Sequence, residues 1–500
     1  MNYISLKNNQ TIPISSIPEL DYSLFLEENI FSLIKGAGSH CVNYFGFPYA
    51  HKIKLICCIA NDELHTINIS SSVVDAKQLL LSFTKHNLVF EKFEREIHEN
   101  FGIGYTDHPW LKPVRFPFNR FNKNTAVADY PFFTIESEEL HEVGVGPIHA
   151  GIIEPGHFRF ICNGEQILHL EIQLGYQHRG IEQLFLEKKK LLQRITLAEN
   201  IAGDSVAGHT VAFVNLWESL CKYQPGRDLQ LARTLALELE RVAVHTGDLS
   251  GMCTDVAYQL GSAVYGRLRT PLINYLQKWC GNRLAKGLIR AGKTNYPFTN
   301  DLASELKKLL DDYEKDFEDI SEELFSMPSV LARFEKTGVV TTEQAATLGT
   351  VGMSARMSAI SRDIRFSHPH DLYPELHHEP VTKNHGDVYS RGRLRKKEIE
   401  QSIGYIRQLI QDLPEENSDK DNQSLVPSPN SFTISLIEGW RGEICHCAIT
   451  DESGELIHYK IKDPSFHNWL ALALAVRNNE ISDFPICNKS FDLSYCGHDL

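Results

Sequence analysis

The densest grouping of chemically capable side chains is the run His368-Pro369-His370-Asp371, followed by His377-His378-Glu379. Imidazoles and carboxylates at this density invite a metal reading, because both are common ligands for divalent cations. Pro369 and Pro374 break the spacing, so these side chains are not expected to converge as the two histidines of an HxxxH helix pair do. The eleven cysteines include Cys57-Cys58 and Cys445-His446-Cys447 but no CxxC pair. Most therefore read as buried reduced thiols, and neither a zinc nor an iron–sulfur site is expected wholly within this chain. Asp204 and Ser205 are good helix caps in front of His209. Glu182, just after Arg179-Gly180, suits a first-turn helix acid. His149 and His157 flank expected strand ends, where an imidazole either satisfies backbone groups or handles protons near neutral pH. Arg356, Asp363 and Arg365, at i, i+7 and i+9, suit a buried ion network as well as a cavity wall. Lys188-Lys189-Lys190 and the run Arg391 to Lys397 are basic stretches that read as solvated helix faces, or as contacts to a membrane arm or anionic headgroups.

These residues need a scaffold, and composition bounds it. With 500 residues, 42% hydrophobic and 23% charged, the chain is long enough for two to four globular domains at roughly 100–200 residues each. A formal net charge of −14 argues against nonspecific nucleic-acid binding, which needs Lys and Arg to neutralise phosphates. No stretch approaches the ~18–20 apolar residues that span a bilayer. Met1 to Gln10 also lacks a basic region followed by an apolar run, so the chain itself is expected to be soluble and not exported.

The pattern predicts an α+β protein. The first ~120 residues read as a small α/β domain, with β-rich runs at Lys52–Ala60 and Leu64–Val74. A helix follows, on which Phe90, Phe93, Ile97 and Phe101 recur at helical spacing. A boundary between Phe121 and Tyr130 divides residues 1–125 from 126–500. A β-meander follows: a strand at Gly146–Ile153, a turn at Glu154-Pro155-Gly156, a strand at His157–Cys162, and an Asn163-Gly164 hairpin before Gln166–Leu174. From there to Leu413 nearly everything reads helical. The clearest stripe is Leu229, Ala232, Leu235, Ala236, Leu239 and Val242. Residues 414–430 read as a flexible insert, followed by a β-rich piece at Phe432–Ile461 and a helix starting near Pro464.

The run Gly146-Pro147-Ile148-His149-Ala150-Gly151, Glu154-Pro155-Gly156-His157-Phe158-Arg159-Phe160 and Gly175-Tyr176-Gln177-His178-Arg179-Gly180-Ile181-Glu182 resembles the nickel-iron hydrogenase large subunits of the energy-converting, formate-hydrogenlyase type. It also resembles their relative, the 49 kDa-like quinone-site subunit of respiratory complex I. Downstream matches are Glu238-Leu239-Glu240-Arg241 with His245 and Asp248, Gly352-Met353-Ser354-Ala355-Arg356 with Asp363 and Arg365, and Gly386-Asp387-Val388-Tyr389-Ser390-Arg391. Phe93-Glu94-Arg95-Glu96, Phe101-Gly102-Ile103 and His108-Pro109 look like the small, 30 kDa-like complex I subunit, which the formate-hydrogenlyase branch fuses to the large one.

The resemblance implies the fold of that family: the small domain, then a β-meander with a large helical bundle. Where the hydrogenases carry their four metal-binding cysteines, this chain has Ala202, Ser205, Ser465 and Asn468; only His209 of the first metal-binding segment and Asp463-Pro464 of the second remain. Nickel needs soft thiolate donors, so the resemblance implies no nickel-iron centre and no hydrogen chemistry. Such hydrogenases are trimmed behind the last cysteine pair during metal insertion. Without metal that step has no purpose, and Trp469–Leu500 is expected to persist as folded structure, with Phe491–Tyr495 packed on the body or a partner.

The remnant pocket is expected to be lined by Asp204, Ser205, His209, Glu182 and Asp463, with Ser465 and Arg356, groups suited to moving protons and hydrogen-bonding a carbonyl. By resemblance, His157 is the first candidate for the quinone-side histidine and His149 the second. The implied role is that of a subunit at the cytoplasmic face of the membrane, peripheral to it, beside an iron-sulfur small subunit and ion-translocating membrane subunits. A quinone or other acceptor would bind there, and this chain would bind no cofactor of its own. The rival reading is a redox-silent scaffold. A cavity open near His157, His209 and Asp204, or filled by side chains such as Phe466 and Trp469, separates the two.

Overall fold

The computed structural model describes residues 2–35, 38–148, 154–411, 413 and 425–500. The β-rich runs near the start form one antiparallel sheet whose strand order is Ile4–Leu6, Thr66–Val74, Lys52–Asn61, Ser39–Tyr49. The helices Tyr22–Lys35 and Glu91–Phe101 cover one face, where Phe25, Tyr44, Phe83, Phe90, Phe93 and Ile97 pack together. Gly102 ends the second helix in the left-handed region at φ 72°, a conformation that carries no penalty for glycine. The other face explains why Ser39–Tyr49 and Lys52–Asn61 are buried almost throughout instead of alternating with solvent. Val42, Phe45, Ile56 and Cys58 stack on Phe432, Ile434, Leu436, Cys445 and Cys447 of a second sheet.

That second sheet runs Leu456–Lys462, Glu443–Thr450, Ser431–Glu438, Thr11–Pro13. Its last strand comes from the opposite end of the chain: Ser431, Phe432 and Thr433 pair with Pro13, Ile12 and Thr11. The expected division at residue 125 therefore does not separate the two sheets. Local pattern reads a short strand but not its partner at the far end of the sequence.

The helical half is built round Arg227–Asp255, 29 residues long. Its expected stripe is buried, and so are Arg233, Glu238, Arg241, His245 and Asp248 on its other faces. Around it lie Val206–Leu220, Gln259–Cys280, Asn300–Leu324 and Val388–Leu409. A helix enclosed on all sides must place its polar residues opposite partners in the protein.

The meander consists of His141–Val145, His157–Asn163 and Gln166–Gln173. Its first strand lies earlier than the expected Gly146–Ile153, and residues 149–153, His149 among them, lie outside the described residues. Residues 412 and 414–424 of the expected insert do as well. The end of that insert is tied down: the Ser428 amide donates to the Leu220 carbonyl at 2.8 Å and Asn430 to Asp451 at 2.7 Å. Beyond Trp469 the chain is folded. Phe484–Phe491 and Tyr495–Asp499 are helices, and Phe491, Leu493 and Tyr495 are buried in the main core. Among the described residues no helix is long and apolar enough to cross a membrane.

Because the core under Phe432 is shared by both sheets, Phe432→Ala is expected to cost about 3–5 kcal/mol. Urea unfolding should still show one transition, reported alike by probes in residues 1–125 and in the helical half. Two separated transitions would mean that the sheets fold independently.

Candidate functional site

The loop before Val206–Leu220 and the start of helix Pro464–Ala475 meet where the sulfur ligands are missing. Ser205 caps the first helix by its backbone, its carbonyl accepting from the His209 amide at 3.1 Å. Asp204 is held by both guanidinium nitrogens of Arg441, each at 2.6 Å, and the Ser205 hydroxyl receives a longer contact from Arg441 at 3.4 Å. Arg441 also donates from Nε to the Asp492 carbonyl at 2.5 Å and lies 4.0 Å over the ring of Trp440, whose indole N–H donates to the Asp204 carbonyl at 2.7 Å. The tight turn that delivers Arg441 is set by two glycines. Gly352 (φ 61°) and Gly442 (φ 137°) approach so closely that a Cβ on Gly352 would fall 2.2 Å from the Arg441 carbonyl oxygen.

On the second helix, Asp463 caps the Ser465 amide with one oxygen at 2.8 Å and meets His209 Nε2 with the other at 3.0 Å. His209 Nδ1 lies 3.1 Å from His446 Nε2, and His446 Nδ1 2.8 Å from the Tyr459 hydroxyl. Burial, reinforced by His209, pushes His446 well below the usual imidazole value. Burial would raise Asp463, but the hydrogen bond and charge of His209 and the charge of Arg441 lower it. His209 thus bridges Asp463 and His446, and Tyr459 closes the far end, so that every ring nitrogen of the two histidines has a partner. The Ser465 hydroxyl accepts from the Ser494 amide at 2.9 Å. The Asn468 amide exchanges two hydrogen bonds with the Val351 backbone, both 3.1 Å. Gly497 closes the space next to Asp463, since a Cβ there would lie 2.6 Å from the carboxylate.

Behind this layer lies a charge network with almost no exposure. Arg356 bridges Glu398 at 2.6 Å and Glu438 at 2.7 Å; Arg365 grips Asp363 at 2.7 Å. Arg241 and His245 reach Glu398 at 3.5 and 3.1 Å. Burial opposes ionisation of Asp363, yet Arg365, His378 and Arg356 hold it well below the carboxylate range. Burial, with Asp363 beside it, lifts Glu438 to about 7. Asp248, bonded to Arg395 at 2.8 Å, does the same to Asp492, which burial and this neighbour raise to about 7. Arg356 is thus a member of an ion network on the side away from solvent.

The remaining expected residues go elsewhere. His157 is half-buried on the face of its strand opposite Phe158, its ring 4.8 Å from Phe132. Phe158 points inward to Trp469 and Tyr495, so His157 does not join the His209 chain. Burial and Arg159 lower its pKa. Glu182 accepts from the Ile461 amide at 2.8 Å and from Lys460 at 3.1 Å. It lines a cleft of about 760 Å³ with Glu96, Arg115 and His178, not the remnant pocket. Phe466 packs on Phe93 and His498, and Trp469 on Phe158 and Tyr495. The remnant pocket is filled chiefly by Arg441 and the 494–497 segment.

The histidine cluster disperses to separate partners. His368 meets Asp62 at 3.3 Å, His370 meets Asp371 at 2.8 Å, and His378 lies between Tyr405 and Asp363. The basic run at 391–397 is not a solvated face. Arg391, Arg395 and Lys396 are buried, with Arg391 on Ser490 and Arg395 on Asp248, because i and i+4 of this helix both face the bundle. Lys189 and Lys190 are exposed. The cysteines are unbonded, and burial raises Cys57, Cys445 and Cys447 well above the ordinary thiol value.

Sequence reasoning missed Arg441, His446, Tyr459 and Asp492. The signal for the first was Gly439-Trp440-Arg441-Gly442, a large polar pair between glycines inside a β-rich stretch. His446 was visible only as the middle of a cysteine triplet.

Residues 255–433 match the family described as respiratory-chain NADH dehydrogenase, 49 kDa subunit. The chain is 26% identical over 419 residues to hydrogenase-4 component G of Escherichia coli (strain K12), covering 80% of this chain and 72% of that one. It is 26% identical over 420 residues to formate hydrogenlyase subunit 5 of the same organism, covering 80% and 74%. Against an NADH-quinone oxidoreductase subunit of Clostridium beijerinckii the figures are 26% over 358 residues, 72% and 96%. The fold is α+β and is consistent with a domain of the 49 kDa type. The chain is a relative of the complex I 49 kDa subunit and of the membrane-complex hydrogenase subunits. The residues present do not fit a nickel-iron centre, because the four positions offer a methyl group, two hydroxyls and an amide, and the polar three are engaged with neighbours.

Glu240 accepts from the Ala207 amide at 2.7 Å and the Gly208 amide at 3.2 Å, and burial raises it to about 8. A carboxyl raised above its unfolded value of about 4.3 stabilises the fold fully below that value and loses the contribution as pH rises through about 8. Glu240→Gln keeps one of the two acceptor oxygens and removes the titration. The variant is expected to lose less stability than the wild type between about pH 4 and 8, the window set by these two values, read from urea midpoints at each pH. Parallel pH profiles for the two proteins would rule out Glu240 as the titrating group.

Proposed function

We propose that the chain is a non-hydrogenase subunit of a complex I-like or hydrogenase-related redox assembly, in which it supplies shape and fixed charge while partners carry the electrons. Its relatives are components of such assemblies, which supports membership in one. One observation carries the finer reading: Arg441 is buried in the remnant pocket with both guanidinium nitrogens on Asp204. A guanidinium at that position occupies the pocket with positive charge and repels a metal cation, while the four ligand positions hold no thiolate to attract one. An iron-sulfur small subunit and ion-translocating membrane subunits are the partners this reading requires, with this chain peripheral at the cytoplasmic face of the membrane. The test is the native assembly, isolated by a tag on this chain. Nickel should fall well below one atom per chain, and hydrogen uptake should be absent while the iron of a partner's cluster is present. Stoichiometric nickel would falsify the reading.

A second reading keeps an acceptor site, moved outward. Asp204 has 39% side-chain exposure, and His157 is half-exposed with its pKa lowered toward the neutral form. A quinone-type carbonyl bound at the surface beside the meander, and completed by a partner, would find a hydrogen-bond donor in His157. A photoreactive quinone analogue added to the assembly should then label peptides containing His157 or Asp204, and excess quinone should suppress the labelling. Labelling confined to partners would leave the charge-and-shape role alone.

A further inference from the structure

The meander ends in an unpaired strand. Its order is Gln166–Gln173, His157–Asn163, His141–Val145. Among the described residues the last strand pairs only with His157–Asn163, in unbroken register from His141 opposite Cys162 to Val145 opposite Phe158. In an antiparallel pair, alternate residues turn their N–H and C=O away from the neighbour, so this strand offers a free row of donors and acceptors. Proteins usually blunt such an edge with Lys, Pro or a bulge. The sequence His-Glu-Val-Gly-Val has none of these devices.

The surroundings say what would cover it. Val143 and Val145 pack against the main core, so an added strand would extend that layer. In the segment leading into the strand Ile135 is 39% exposed, and just beyond its end Ile148 is 94% exposed. Glu136, Glu138 and Glu139 are exposed as well, and of the local acids only Glu142 is paired, with Arg159. A second copy of this chain would bring one acidic stretch against another. A basic partner meets opposite charge there.

We propose that His141–Val145 is a docking edge that takes an extended, Lys/Arg-bearing segment of a partner protein as a fourth strand. Its basic side chains would lie opposite Glu136, Glu138 and Glu139, with an apolar residue over Ile148. Main-chain hydrogen bonds supply the affinity in this mode, and side-chain pockets and charge supply the choice of partner. The proposal rests on the reading that the chain works within an assembly.

Amide hydrogen exchange on the native assembly, compared with the full chain released from it by high salt, tests the edge. Residues 141–145 are expected to exchange at least about tenfold more slowly in the assembly. Glu136→Gln/Glu138→Gln/Glu139→Gln should weaken reassembly at low salt and match the wild type at high salt, where screening removes the difference. Carboxyl-to-amine cross-links from Glu136–Glu139 should reach one partner's lysines. An assembly that purifies intact while residues 141–145 exchange as in the released chain overturns this proposal and leaves membership standing. If no partner copurifies at all, membership fails and the docking edge fails with it. Protection without cross-links from Glu136–Glu139, or a triple variant that reassembles normally at low salt, overturns the basic partner.

Discussion

A guanidinium taken out of water must find its compensation inside the protein, and Arg241, Arg356, Arg365 and Arg395, all essentially without exposure, fix the interior of the helical half. Each one reaches a carboxylate on another element, so Arg227–Asp255, Val388–Leu409 and the strand Ser431–Glu438 are cross-tied through Glu398, Asp248 and, by way of Arg356, Glu438. Apolar packing tolerates small shifts. A buried ion pair tolerates them much less, because a carboxylate left alone in this interior keeps its full desolvation penalty. The network therefore gives the bundle little freedom to slide, which suits a subunit whose task is to hold geometry.

The same constraint accounts for what happened to the pocket in front of the network. Four thiolates and their metals would bring charge and volume that the surrounding residues have to balance. With sulfur absent, Arg441 takes the positive charge and pairs with Asp204 and Asp492, and Ser494 and Gly497 take part of the volume. The chain Tyr459, His446, His209, Asp463 then satisfies the polar groups that remain. Glu438 and Asp492 are both lifted to about 7 by burial and a neighbouring carboxylate.

Much of this was legible in the sequence, and the legible part has a common cause. Stripes such as Leu229, Ala232 and Leu235, the Asn163-Gly164 turn and the helix start near Pro464 depend on neighbours within a few positions, and their identities sufficed to place them. The absence of sulfur donors was equally local. Pairing across the chain was not legible. Thr11–Pro13 joins a sheet whose other strands lie beyond residue 430, and Arg391 reads as a surface cation until the helix is seen to face Ser490. The candidate site fared worse than the fold. Strand alternation turned His157 outward, Glu182 was drawn to a cleft by the Ile461 amide, and the residue that fills the pocket, Arg441, arrives on a hairpin turn that no catalytic spacing rule describes.

These placements bear on what a metal site at these four positions would require. A cysteine at Ser205 or Ser465 would restore a sulfur atom, but Arg441 and the Ser494 amide would hold its thiolate as a hydrogen-bond acceptor and leave less of its charge for a metal. Asn468 is more firmly committed, since its amide completes both halves of a hydrogen-bond pair with the Val351 backbone, and a thiol there would leave a buried carbonyl and a buried N–H unmatched. Such a site would thus require the Arg441 turn, the Ser494–Gly497 segment and the Val351 loop to change together with the four ligand positions. The turn in particular is fixed by the contact between Gly352 and Gly442, where no side chain can enter. The lack of a sulfur ligand set is consequently matched by the packing of at least three loops.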